Sequence, residues 1–188
     1  MKLRALSQDT VSALILFAAT NLLFTALNMQ IFGTSHSSGN LRPLTTFLPK
    51  IAQLAIAGAA LGALASSPSR HLNWEFLTAS MGFTILVDLD HVPVVLGMQQ
   101  PIRPSHSILF LITAVVVVQL LTRKRHLSTL AASAFLGHLA LDKPLFPLIA
   151  PLSPTLFEYG IDVQVGLAAL SVGLALLSGR MIAEKRNN

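Results

Sequence analysis

The chain has 188 residues, of which 53% are hydrophobic and only 11% charged, with no cysteine and a net charge of +5. A soluble domain carries about 25% charged residues, so this composition excludes a water-covered fold and predicts one all-α integral membrane domain over residues 1–188. Disulfides and thiolate metal sites are excluded, and a nucleic-acid partner is not expected, because the positive charge is scattered over short loops and chain ends.

Lys2 and Arg4 precede an apolar run from Val11 to Phe32. That run exceeds the roughly 7–15-residue core of a signal peptide and ends without a small-x-small site, so it predicts an uncleaved first transmembrane helix. Crossing the hydrocarbon takes about 20 apolar residues. Six stretches come near that length, at approximately 10–32, 47–66, 74–97, 105–122, 127–151 and 160–182. Polar or proline-bearing segments separate them: Gly33 to Asn40, Ser66 to Ser69, Gln99 to Pro101, and Pro151 to Pro154. The fifth stretch carries Pro144 and Pro147, which predicts a broken or kinked helix. Gly58 and Gly62 form a GxxxG step in the second, read first as close packing within the monomer and second as a dimer face.

With the N-terminus in the cytoplasm, Lys2, Arg4, Arg70, Arg123, Lys124, Arg125, Arg180, Lys185 and Arg186 all fall inside. Only Arg42 and Arg103 fall in external loops, with Lys50 and Lys143 near external helix ends. This asymmetry predicts six spans of an inner membrane with both termini cytoplasmic.

Ionisable groups interrupt three consecutive stretches. Asp88-Leu89-Asp90-His91 lies in the third, Arg103-Pro104-Ser105-His106-Ser107 opens the fourth, and Gly137-His138-Leu139-Ala140-Leu141-Asp142 lies in the fifth. Such groups are costly in hydrocarbon unless paired, metal-bound or in a wet cavity. On the predicted topology all three lie between mid-membrane and the outer surface, so one site facing the extracytoplasmic side is expected. His138 and Asp142, at i and i+4, share a helix face, and so do Asp88 and His91 at i and i+3. Asp90 joins them only if the helix unwinds ahead of Pro93. Three carboxylates and three imidazoles need a counter-charge, and a divalent cation supplies it. Nitrogen and oxygen donors without thiolate suit zinc, manganese or iron, and such an ion lowers the pKa of bound water to about 7. A structural polar cluster is the alternative. His71 and His126 flank basic residues and are read as interfacial.

The ordered set Asp88-x-Asp90-His91, then Arg103 and Ser105-His106-Ser107, then Gly137-His138-x-x-x-Asp142 followed by prolines resembles the YdjM-like inner-membrane metal-dependent hydrolases, with suggested kinship to zinc-dependent phospholipase C. The resemblance covers about residues 80–152. It implies Asp88, Asp90, His91, His106, His138 and Asp142 as metal-site residues, with Ser107 matching the serine after the family histidine. Arg103 sits one residue nearer to His106 than in the family pattern. The family's histidine near its first helix has no counterpart except His36, in a loop.

The leading expectation is therefore hydrolysis of a lipid or lipid-linked phosphoester near the outer leaflet, with Asp90 as general base and Arg103 on the substrate's negative charge. A metal-free phosphatidic-acid phosphatase is disfavoured, because Ala131 and Ala132 stand where that family needs Ser-Arg. A transporter, a scaffold or a subunit of a larger membrane complex with a relict site is the alternative from another class. Against a transport path, the cytoplasmic half holds few polar side chains beyond Asn21, Gln53 and Gln119.

Overall fold

The computed structural model describes residues 6–33, 35–36, 48–69, 71–99, 102–142 and 145–187. The charges expected at Lys2, Arg4, Arg42, Arg70 and Lys143, the break expected at Pro144, and the side chains of His36, Lys185 and Arg186 lie outside what is described. In chain order the helices are α1 (Gln8–Phe32), α2 (Leu48–Ser66), α3 (Trp74–Leu86), the short α4 (Val92–Val95), α5 (Ile108–Thr122), α6 (Arg125–Leu141) and α7 (Ile161–Asn187). Two short antiparallel pairs complete it: β1 (Ser35–His36) on β2 (Met98–Gln99), and β3 (Leu145–Pro147) on β4 (Leu156–Glu158).

Helix ends follow local chemistry. The Ser7 hydroxyl accepts the Thr10 amide at the start of α1, Asn73 accepts the Glu75 amide at α3, and Ser107 accepts the Phe110 amide at α5. Arg123 takes the left-handed conformation at φ 55° and stops α5.

Contacts set the helix directions. The first turn of α1 meets Glu75 at the start of α3, and Asn21 further along meets the end of α3, so α1 and α3 run together. Gly58 and Gly62 of α2 face Met81 and Leu77 of α3 in reverse order, and added β-carbons there would stand 2.7 and 2.6 Å from those Cα atoms. The glycine pair therefore serves packing inside this chain, letting two backbones approach as larger residues would not. Ser133 and Ser171 exchange reciprocal hydrogen bonds of 2.7 Å to each other's carbonyls and tie α6 to α7. In the centre, Phe17, Phe83, Phe110 and Phe135 meet through tilted and edge-on ring contacts with neighbouring centroids 5.2–5.8 Å apart.

Large apolar side chains cover the outside, while hydroxyl side chains lie buried beside the phenylalanine core. Leu22, Leu23, Ile56, Ile112, Leu120, Leu121, Val165 and Leu170 are exposed, whereas Thr10, Thr25, Ser80, Ser133, Ser171 and Ser178 are buried. So many large apolar side chains exposed along the long helices are unusual on a soluble monomer. Three helices, Gln8–Phe32, Leu48–Ser69 and Ile161–Glu184, are long and apolar enough to cross a membrane, and Ile108–Thr122 is a shorter apolar helix.

Three expected elements differ. The third stretch is not one helix: α3 stops at Leu86, a 3-10 helix follows over Val87–His91, and α4 is a single turn. Pro93, unable to donate to the preceding turn, lies just past this break. His106 lies in a 3-10 turn, Pro104–His106, ahead of α5 rather than in its first turn. In the fifth stretch α6 ends at Leu141, and Leu145–Pro147 pairs with Leu156–Glu158 in a hairpin instead of continuing a helix.

Candidate metal centre

All three ionisable motifs arrive at one end of the bundle: the 3-10 helix after α3, the turn before α5, and the end of α6. A helix that stops inside a bundle leaves carbonyls needing partners. Here side chains provide them. Asn21 Nδ2 donates to the Leu86 and Val87 carbonyls at 2.8 Å each, Ser105 Oγ donates to Val87 O at 2.8 Å, and His138 Nδ1 lies 2.9 Å from Thr84 O. The unwound segment is thereby held in place, and its 3-10 geometry brings Asp88, Asp90 and His91 together.

Two of these bonds fix the imidazoles. A carbonyl only accepts, so His138 Nδ1 carries the proton and Nε2 presents a lone pair. His106 Nδ1 lies 3.2 Å from Asp90 Oδ2 and 3.2 Å from Ser105 Oγ, whose own proton goes to Val87 O. Both neighbours place a proton on Nδ1, so in the neutral ring His106 Nε2 also presents a lone pair. The two Nε2 atoms are 3.0 Å apart, and Asp88 Oδ1 lies 3.4 Å from each. This triangle of three acceptors matches one face of a tetrahedron, whose edges are about 3.3–3.4 Å for bonds of 2.0–2.1 Å. His106 and His138 are buried, and Asp88 is largely so. Asp88, His106 and His138 can thus hold a metal ion.

Among the described residues a second set, Asp88, Asp90 and His91, also has mutually adjacent donor atoms. Both Asp90 oxygens are engaged there, Oδ1 by His91 Nδ1 at 3.0 Å and Oδ2 by His106. Asp142 belongs to neither set. It caps α6 in extended conformation instead of continuing the helix, and its Oδ2 lies 3.3 Å from His106 Nε2. Asp142 thus acts from the cap of α6 rather than from within it, and His138 and Asp142 both reach His106.

Cations line the remaining side. Arg103 bonds Asp142 Oδ2 through one terminal nitrogen; the other bonds Asp88 Oδ1 at 2.7 Å and contacts His106 Nε2. Lys50, from the first turn of α2, lies 3.2 Å from Asp142 Oδ1 and 3.6 Å from Asp88 Oδ2. Sequence reasoning placed Lys50 only near a helix end. No local spacing links it to the motifs; the sole hint was a lysine at the level of the acidic groups. His71 and His126 sit at the opposite end, His126 beside Phe76.

No family model matches the chain, and neither a curated protein nor a solved structure matches it.

Proposed function

We propose that this chain is a membrane-embedded metal-dependent hydrolase of the YdjM-like kind, acting on a lipid or lipid-linked phosphoester near the outer leaflet. One observation carries the reading: two imidazole lone pairs and a carboxylate oxygen meet in a buried triangle whose edges suit a tetrahedral ion. Zinc and manganese fit this nitrogen–oxygen donor set. Three protein ligands leave a coordination position open, the pattern of a catalytic rather than a structural ion. The chemistry such an ion supplies is an activated water and a polarised ester oxygen.

Within this reading Asp88, His106 and His138 are the ligands. Asp90 differs from its sequence-derived role. With both oxygens on imidazoles it orients His106 and raises its basicity, as carboxylates behind metal-bound histidines do. Asp142, beside His106 but outside the triangle, is the carboxylate placed to take a proton. Arg103, a third exposed at the mouth, faces the substrate's charge. The proposal includes six spans with cytoplasmic termini, and on that topology the mouth faces the extracytoplasmic side, within reach of a headgroup ester.

A second reading has its own observation. The Arg103 guanidinium already bonds Asp88 and Asp142, so the cluster also suits a non-catalytic membrane scaffold or complex subunit held together by ion pairs. The test is hydrolysis of a panel of phospholipids by the purified protein, with and without added zinc or manganese, beside His138→Ala. Metal-dependent turnover abolished by His138→Ala supports the hydrolase. No turnover on any lipid, with the same cellular phenotype for wild type and variant, supports the scaffold.

A further inference from the structure

Lys50 and Arg103 bind the same two carboxylates from opposite oxygens. Arg103 takes Asp88 Oδ1 and Asp142 Oδ2, while Lys50 approaches Asp88 Oδ2 and Asp142 Oδ1. Both cations are about a third exposed (32% and 34%), whereas the carboxylates are 15% and 11% exposed. They stand at the mouth, with the acids behind them.

With neutral imidazoles, three carboxylates (Asp88, Asp90, Asp142) against Lys50 and Arg103 leave one net negative charge. A divalent ion on the triangle reverses this to one net positive charge. The same ion would take Asp88 Oδ1 and His106 Nε2, two of the atoms that Arg103 contacts. A guanidinium and a divalent ion cannot share those atoms without strong repulsion in a poorly hydrated site. Metal loading therefore frees part of the guanidinium fork. Its Nε–H is buried without a hydrogen-bond partner among the described residues, so the fork is incompletely satisfied where it now lies.

We infer that Lys50 and Arg103 form a two-cation receiving site for a phosphate-like oxyanion, opened by metal loading at the Asp88–His106–His138 triangle. The inference rests on the metal-dependent reading and names the chemical class of ligand at that site. A planar fork and a point charge on one side of a divalent ion suit a tetrahedral oxyanion with several free oxygens. Coupling is reciprocal: metal strengthens oxyanion binding and the oxyanion strengthens metal binding by the same factor.

Calorimetry on the full chain in phosphatidylcholine nanodiscs tests this, with inorganic phosphate as probe. The protein is either stripped of metal or loaded with one equivalent of manganese, and metal content is measured on each sample. Phosphate should bind the loaded wild type and fail to bind the stripped protein. Lys50→Gln and Arg103→Gln should keep the metal and weaken phosphate at least about tenfold, the loss of one charge-assisted hydrogen bond. Lys50→Arg should restore most of the loss, which a merely structural lysine at this position would not require. In a second arm the nanodiscs contain phosphatidic acid. Its competition with inorganic phosphate assigns the oxyanion to a lipid headgroup; phosphate binding without competition keeps the oxyanion site and removes the lipid as its source. Equal phosphate affinity with and without metal, or unchanged affinity in Lys50→Gln, overturns the receiving site. A chain that holds metal but no phosphate overturns it and leaves the metal centre standing, whereas a chain that holds no metal overturns both.

Discussion

Both Asp90 oxygens face imidazoles, and the one on His106 Nδ1 decides how His106 presents Nε2. Replacing Asp90 by Asn keeps the shape but offers an amide where an imidazolium-stabilising carboxylate stood, and it permits the wrong tautomer. Such changes behind a ligand typically cost about 10–100-fold in metal affinity. Competition with a metal-sensitive dye should show that loss for Asp90→Asn, with the protein still folded. Arg103→Ala should instead keep the metal. The motif residues were legible singly: aspartate and histidine in apolar stretches are costly enough to announce a site. Their division of labour was not. Whether Asp90 ligates or orients depends on which atoms face it across the bundle, and Lys50 lies on a helix that carries none of the three ionisable motifs.

α3 ends where the site begins, and the cost of that ending falls on Asn21. Its amide satisfies two carbonyls that a continuing helix would have paired. Asn21→Val removes both bonds from a buried position and should destabilise the fold by about 1–3 kcal/mol, read as a lower midpoint in detergent unfolding, with weaker metal binding alongside. Gly62→Val tests the opposite face. A β-carbon 2.6 Å from Leu77 Cα and Phe76 O forces α2 and α3 apart, and overpacking of this kind costs about 1–3 kcal/mol. The helices themselves could be read from apolar runs between turn residues, and Pro93 hinted at the unwinding. The fifth stretch misled because residues 145–152 are as apolar as a span. Leu145–Pro147 pairs with Leu156–Glu158 in a hairpin, Phe146 against Phe157 and Tyr159, which hydropathy along the chain does not distinguish from a helix.

For the molecule as a whole, three helices meet the length and apolarity of a span, and the shorter α3, α5 and α6 pack among them around the phenylalanine core. Basic side chains Arg123, Lys124 and Arg125 gather at the end opposite the site. The chain has no cysteine, so single cysteines report topology without background. Cysteine in place of Met98 should react with an impermeant reagent applied outside intact cells, and cysteine in place of Lys124 should react only after permeabilisation. The reverse pattern would put the site's mouth in the cytoplasm. The bundle gathers Asp88, Asp90 and Asp142 with His106 and His138 at one end, where Lys50 and Arg103 face the acids. The most direct measurement is elemental analysis of the purified wild type and His138→Ala after equilibration with zinc or manganese and removal of free ion. About one tightly held divalent ion per wild-type chain is expected, and almost none in the variant. Equal metal content in the two proteins, or none in either, would contradict it.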